Sequence, residues 1–248
     1  MGERLKLTVS YDGRRFSGWQ SQPNNNGVQD HLKRAFFEIL SVPVELHGAG
    51  RTDAGVHALG QVAHVDVPAR KMNANTWMAA VNYRLPPEIR VIRCQSVPAG
   101  FHAQYSATGK VYRYRIWNSE IFDPMEIGRS WHVPQFLDPD LMRAACNLVT
   151  GTHDFASFAA NRGKANEPTT RTIHRIRATR RRELVTLEFD GNGFLYRMVR
   201  MLTGSIVRVA SSRAELGWIT DLLDAPGARK TNATAPAEGL YLIRVKYR

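Results

Sequence analysis

The chain has 248 residues, is 43% hydrophobic and carries a formal net charge of +12 at pH 7, so it can bury a substantial core as one large domain or two small ones. No apolar run approaches the roughly 20 residues of a membrane helix, and the start, Met1-Gly2-Glu3-Arg4-Leu5-Lys6, has no apolar signal core. A cytoplasmic protein with no membrane partner is expected. The two cysteines, Cys94 and Cys146, lie far apart and read as reduced core residues. The basic balance points to a polyanionic partner, and it is uneven: residues 1 to 105 carry 12 Lys/Arg against 8 Asp/Glu, residues 106 to 248 carry 22 against 14. Arg162, Lys164, Arg171, Arg175, Arg177, Arg180, Arg181 and Arg182 crowd together against Glu167, which suggests a phosphate-contacting surface.

In chain order, Leu5, Leu7, Val9 and Tyr11 alternate with polar residues as a half-buried strand. Val28, Leu32, Ala35, Phe36, Ile39 and Leu40 fall on one helical face. A short strand at Pro43 to Leu46 precedes a glycine-rich loop, and Gln61 to Val67 alternates again. Asn73 or Asn75 caps a helix ending near Arg84, before Pro86-Pro87, and Ile89 to Cys94 closes the first half. The second half repeats this order. A strand at Val111 to Trp117 is followed by a helix capped by Asp138 with Pro139 in its first turn, ending at Gly151. Strands at Thr172 to Ala178 and Leu184 to Asp190, a helical stripe from Leu195 to Ile206, a helix at Ala214 to Leu223 and a strand at Leu240 to Tyr247 complete it. Each half reads as a βαββαβ unit. The expected class is α+β: residues 1–105 and 106–248 as two ferredoxin-like halves, side by side in one extended antiparallel sheet, with helices on one face and a cleft on the other.

Within the loop, His47 to Gln61, Gly48, Gly50 and Gly55 let the backbone turn sharply beside a ligand. Asp53 is its one carboxylate, two residues from Arg51. A guanidinium within a few ångströms would keep Asp53 ionised, as a nucleophile or base requires. Asp and Gly also favour plain turns. His57 and His64 have no third partner at a recognisable metal spacing, so no metal is expected. Asp154 is read as a turn or cap residue.

Gly50-Arg51-Thr52-Asp53-Ala54-Gly55-Val56-His57-Ala58 resembles, over nine consecutive residues, the active-site signature of the TruA family of transfer-RNA pseudouridine synthases. The resemblance continues through Tyr11-Asp12-Gly13, Phe16-Ser17-Gly18-Trp19-Gln20, Val28-Gln29, Phe101-His102-Ala103, Ser106-Ala107, Tyr112-Arg113-Tyr114, Asp154-Phe155, Ser157-Phe158, Met198-Val199-Arg200, Pro236 and Gly239-Leu240-Tyr241-Leu242. It implies the fold just described and conversion of uridine to pseudouridine at positions 38 to 40 of the tRNA anticodon arm, without a cofactor, by a homodimer. It also implies that Asp53 is catalytic, that Tyr112 lies against the target base, and that Arg200 rather than Arg197 pairs with Asp53. Arg51, His57, Gln61 and Leu242 are expected to complete the substrate site, with Arg175, Arg177, Arg180, Arg181, Arg182 and Lys110 expected toward the RNA. Lys110, Arg113 and Arg115 beside Tyr112 suit a base with its phosphate. Gln104 stands where the family usually has arginine, which puts one RNA contact in doubt, and Gly27 stands where it usually has threonine. A non-catalytic RNA-binding protein or chaperone of the same topology is the rival reading, although neither third strand carries the aromatic pattern of RRM domains. A metal-dependent nuclease would cluster several carboxylates, and the loop offers one.

Overall fold

The computed structural model describes residues 2–68, 72–160 and 168–248. They group into two compact units, residues 1–108 with 241–248, and residues 109–240. The first contains β1 (Glu3–Tyr11), α1 (Val28–Leu40), β2 (Leu46–Gly48), β3 (His57–Val67), α2 (Ala74–Arg84) and β4 (Ile89–Val97). Then come β5 (Ala107–Trp117), β6 (Trp131–His132), α3 (Pro139–Leu148), β7 (Gly151–Asp154), β8 (Thr170–Arg181), β9 (Leu184–Gly191), α4 (Met198–Ala210) and α5 (Gly217–Asp224); β10 (Leu240–Tyr247) lies almost wholly in the first unit. The architecture is α+β, and no helix of the described residues is long and apolar enough to cross a membrane.

In the first unit the sheet order is β4-β1-β3, with β2 antiparallel on β3. Alternation sets its two faces. Leu5, Leu7 and Val9 pair with Val65, Ala63 and Gln61 and are buried, while α2 packs against β4 and the fully buried Phe36 and Trp77 meet at 5.9 Å. Asn73 caps α2 by accepting from Thr76 N–H. The short strand starts at Leu46, where Pro43 to Leu46 was expected; the ladder to β3 begins only there. β3 reaches back to His57, so the tail of the signature is strand rather than loop. It is buried on both faces, which blunts the alternation of a half-exposed strand. β10 runs parallel to β3, Tyr241 facing His57 and Leu242 facing Ala58. This departs from the all-antiparallel expectation. Gly60 permits it, since a Cβ there would lie 2.5 Å from Ile243 O.

The second face of that sheet is covered by residues 98–106. Arg4 ties this segment to β1 and β3 at once: its guanidinium grips Asp66 through Nε (2.7 Å) and Nη2 (2.6 Å), and Nη1 donates to Ala99 O and to Phe101 O (2.8 Å). His64 Nδ1 accepts from Ala103 N–H at 3.1 Å, and the ring stacks on His47 and meets His102 edge-on.

In the second unit, β5-β9-β8-β7 are antiparallel neighbours and β6 runs parallel to β5. Tyr112, Tyr114 and Ile116 share a face with Phe189, Leu187 and Val185. α4, 11 of whose 13 residues are buried, is the central helix. It begins at Met198, one turn later than the apolar stripe suggested, because Arg197 at φ +59 turns the chain just before it. β7 was not expected; it adds four residues to the start of β8. Asp138 Oδ1 accepts from the Asp140 and Leu141 N–H groups, and Asp154 from Ala156 N–H, as a cap and a turn residue should. Both cysteines are buried and free, and burial pushes the Cys94 and Cys146 thiols up to about 11 and about 12.

One consequence is measurable. Burial, with Arg4, His102 and His47 nearby and only Asp66 opposing, lowers the His64 pKa to about 4. The unfolded chain therefore takes up this proton first as pH falls. The contribution is complete above about pH 6.5 and is lost toward pH 4, reducing stability by up to about 3 kcal/mol. Urea unfolding at pH 7 and pH 4.5, with NMR of the His64 ring, should show the stability falling while the folded ring stays neutral down to pH 5; a ring protonating near pH 6.5 would overturn the assignment.

Candidate active site

The Asp53 loop is held by its own backbone. Asp53 O accepts from Val56 N–H at 3.1 Å, and Gly55 at φ +81 closes this turn. Trp19 N–H donates to Thr52 O, also at 3.1 Å. Gly18, at φ +96, lies so close that a Cβ would be 2.5 Å from Thr52 O and 3.0 Å from Asp53 C. A side chain cannot be accommodated there without moving Asp53. Below the loop, the Tyr11 hydroxyl bonds Thr52 Oγ1 at 2.9 Å and also meets Gln61. Burial raises the Tyr11 phenol well above its ordinary range, so it stays a neutral strut. Gln61, fully buried, donates to Gly50 O at 2.9 Å and accepts from Val62 N–H at 3.1 Å. Gln29 links the flanks, with its amide nitrogen donating to Leu46 O and its amide oxygen accepting from Ser21 N–H. Among these supports Tyr11, Thr52, Gly18 and Gln29 all stand inside the motifs quoted above, but none was assigned a task in the site.

Asp53 itself is half-buried and Arg51 exposed. Among the described residues the Arg51 guanidinium meets no carboxylate. The inward bonds of Gly50 and Thr52 leave the intervening Arg51 side chain turned to solvent. His57 is buried, its Nδ1 accepting from Gly13 N–H at 3.1 Å and its ring stacked on Tyr241 at 4.5 Å. Leu242 is fully buried on β10. His57 and Gln61 therefore hold the loop from behind, and Leu242 lies beside Ala58 of β3. Among the described residues no three His, Cys, Asp or Glu side chains are grouped as a metal ion would require.

In the second unit, Tyr112 is nearly buried, with Phe194 edge-on at 5.2 Å. Its neighbours Arg113 and Arg115 are not beside it: strand alternation turns them to the other face, where Arg113 pairs with Glu188 at 2.9 Å and Arg115 with Glu126 at 2.5 Å. Only Lys110, two residues away, shares the Tyr112 side. Burial and then Arg171 lower the Lys110 pKa. Arg200 is fixed to the loop before β10: its Nε donates to Ala235 O at 2.8 Å and its own carbonyl accepts from Ala235 N–H at 3.1 Å. Gly204, one turn on, comes so close that a Cβ would be 2.3 Å from Ala233 O.

The basic cluster divides. Arg175, Arg177 and Arg181 pair across to Asp190, Glu188 and Leu184 and so share one face of β8; none of the three carries an ion pair among the described residues. Arg180 faces the opposite way and donates to Asn118 Oδ1 at 2.9 Å. Arg182 takes the β8–β9 turn at φ +53. Arg162, Lys164 and Glu167 lie outside the described residues.

The sequence model of a protein family described as tRNA pseudouridine synthase matches residues 7–106 and 145–248. The chain belongs to that family. Asp53 and Arg200 fall within the matched segments, while Tyr112 falls between them. The chain is 45% identical to a tRNA pseudouridine synthase A of Akkermansia muciniphila, covering 98% of this chain and 95% of that one. It is 40% identical to tRNA pseudouridine synthase A 1 of Protochlamydia amoebophila, covering 98% and 95%, and 38% identical to the Acetivibrio thermocellus protein of the first name, covering 98% and 99%.

Proposed function

We propose that Asp53 is the carboxylate through which this chain converts uridine to pseudouridine in tRNA, at positions 38, 39 and 40 of the anticodon arm. What carries the reading is one loop, in a chain of this family, whose backbone is fastened on every side while it presents a single half-buried carboxylate. The reaction breaks the N1–C1′ bond, turns the uracil while it is held and joins C5 to C1′; nothing is gained or lost, so it needs no cofactor. An ionised Asp53 serves whether it attacks C1′, takes the C2′ proton or adds to C6. Extruding the uridine costs a few kcal/mol, which stacking on Tyr112 offsets, and Arg200 supplies the cation that the carboxylate needs. His57 and Gln61 keep the loop in place, and the exposed Arg51 is available to a phosphate. We place the protein in the cytoplasm, where its substrate is.

Asp53→Asn keeps the shape and removes the charge. It is expected to abolish pseudouridine formation, read by carbodiimide labelling and primer extension, while tRNA affinity stays within about tenfold. Substantial remaining activity would sink the assignment. Wild-type protein that binds tRNA and yields no pseudouridine would favour the non-catalytic RNA-binding reading.

For RNA contact, Arg175, Arg177 and Arg181 form the proposed phosphate-facing set, with Arg182 at the turn that follows and Lys110 on the opposite face, beside Tyr112; Arg180 bonds Asn118. Changing the three to Gln should weaken tRNA binding and lower the slope of log K against log salt by about 2. An unchanged slope would remove β8 from the RNA interface.

The 28.0 kDa chain is proposed to act as a homodimer, its two basic surfaces together spanning the long tRNA. Light scattering at micromolar concentration should give twice the chain mass. Mixed Asp53→Asn and triple-arginine subunits should then regain activity that neither parent has; a monomer mass, or no recovery in proven heterodimers, would mean each chain works alone.

A further inference from the structure

Beyond Arg200, α4 and the loop before β10 continue side by side and line an unassigned cavity of about 300 Å³. Its walls include Trp131 of β6, Arg208 of α4, Arg213, Asn232 and Thr234, over a floor at Gly204. Among the described residues no carboxylate lines it. Neither Arg208 nor Arg213 has an ion pair among the described residues, so the pocket gathers two uncompensated cations in a concave site.

These groups are braced from behind. Arg208 Nη1 donates to Asn232 Oδ1 at 2.8 Å, and its guanidinium lies 5.1 Å from the centroid of the Trp218 ring. Arg has five N–H donors; one is used here, and the group is already flat and positioned. Arg213 N–H donates to Arg208 O at 2.9 Å, which joins the two arginines through the backbone. The Trp131 ring meets Tyr114 edge-on at 6.3 Å, and the Tyr114 hydroxyl donates to Pro236 O at 2.7 Å. The indole and the loop that carries Asn232 and Thr234 are thus braced by the same tyrosine. Two arginines make a fork for a phosphate. An indole beside them offers a surface to a flat base, and the amide of Asn232 and hydroxyl of Thr234 can bond a base edge or ribose. The volume lies at the small end of ligand sites, right for one such unit.

We propose that this pocket is a nucleotide site, holding a phosphate at Arg208 and Arg213 with its base or ribose against Trp131. Arg200, Gly204 and Arg208 are successive fourth residues on one face of α4, so the pocket lies about 12 Å along the helix from Arg200, a few nucleotides away on a strand. The source favoured is a nucleotide of the tRNA outside the one being modified, which rests on the proposed tRNA substrate; a free mononucleotide has the same chemistry.

The experiment uses the full chain and two arms. In the first, tRNA affinity is measured across a salt series for wild type, Arg213→Gln and Arg208→Gln, with Arg34→Gln, an exposed arginine of α1, as the control of equal charge. The pocket variants should each bind about fivefold more weakly, with the log–log slope reduced by somewhat under 1, and the control should change neither. Arg213→Gln is the more decisive, because Arg213 is exposed and, among the described residues, its side chain bonds no neighbour. In the second arm, uridine 5′-monophosphate, uridine and inorganic phosphate are titrated separately while the Trp131 indole N–H resonance, identified with Trp131→Phe, is followed. The monophosphate should shift it at lower concentration than either fragment, and Arg213→Gln should abolish the difference. A change in the first arm names the tRNA as the source; a response confined to the second names a free nucleotide. No response in either, or an equal loss in the control, overturns the site. Asp53→Asn retaining pseudouridine formation would overturn the catalytic reading and leave these outcomes standing.

Discussion

The Tyr11 hydroxyl, buried between Thr52 and Gln61, is the contact on which the Asp53 loop depends. A buried polar group without a partner costs about 1 to 3 kcal/mol, and here the partners are interlocked. Moving Gly50 or Thr52 would leave the Gln61 amide or the Tyr11 hydroxyl without its bond, and moving Trp19 would free Thr52 O. The loop therefore shifts as a whole or not at all. Such a network rigidifies its surroundings, and Asp53 sits on the backbone that it holds.

The second unit uses close backbone approach for the same end. Gly204 admits the loop before β10 directly onto α4, and Arg200 then bonds that loop through both its guanidinium and its carbonyl. Arg197, three residues earlier, holds a left-handed conformation that non-glycine residues adopt at a cost. It turns the chain just before Met198, where α4 begins, and so helps to set where on the helix Arg200 falls.

Much of this was legible in the residue order. The βαββαβ order of the first half, the Asn73 and Asp138 caps and the strand faces follow from alternation, helical period and turn chemistry, and the first sheet has the order those patterns imply. Asp53 stood out because a lone carboxylate in a glycine-rich stretch is chemically conspicuous. What sequence reading missed depends on partners distant along the chain. Arg113 and Arg115 are near Tyr112 in number but across the strand in space, because each step along a strand reverses the face. Arg180 looks like its neighbours until Asn118, 62 residues away, claims it. Gly18 reads as a turn glycine, whereas its necessity comes from Thr52 and Asp53. The parallel placement of β10 had no local signal, since an alternating strand looks the same in either direction.

β7 covers β8 only from Thr170 to Ile173, so among the described residues the stretch from Arg175 to Arg181 has a strand neighbour on one side alone. An open strand edge is a template on which another chain can extend the sheet, and proteins commonly blunt such edges with charge. The arginines along this one repel a second copy of themselves. Charge of this kind disfavours extension of the sheet through β8, so neutralising these arginines is expected to lower the solubility of the chain whatever else it changes.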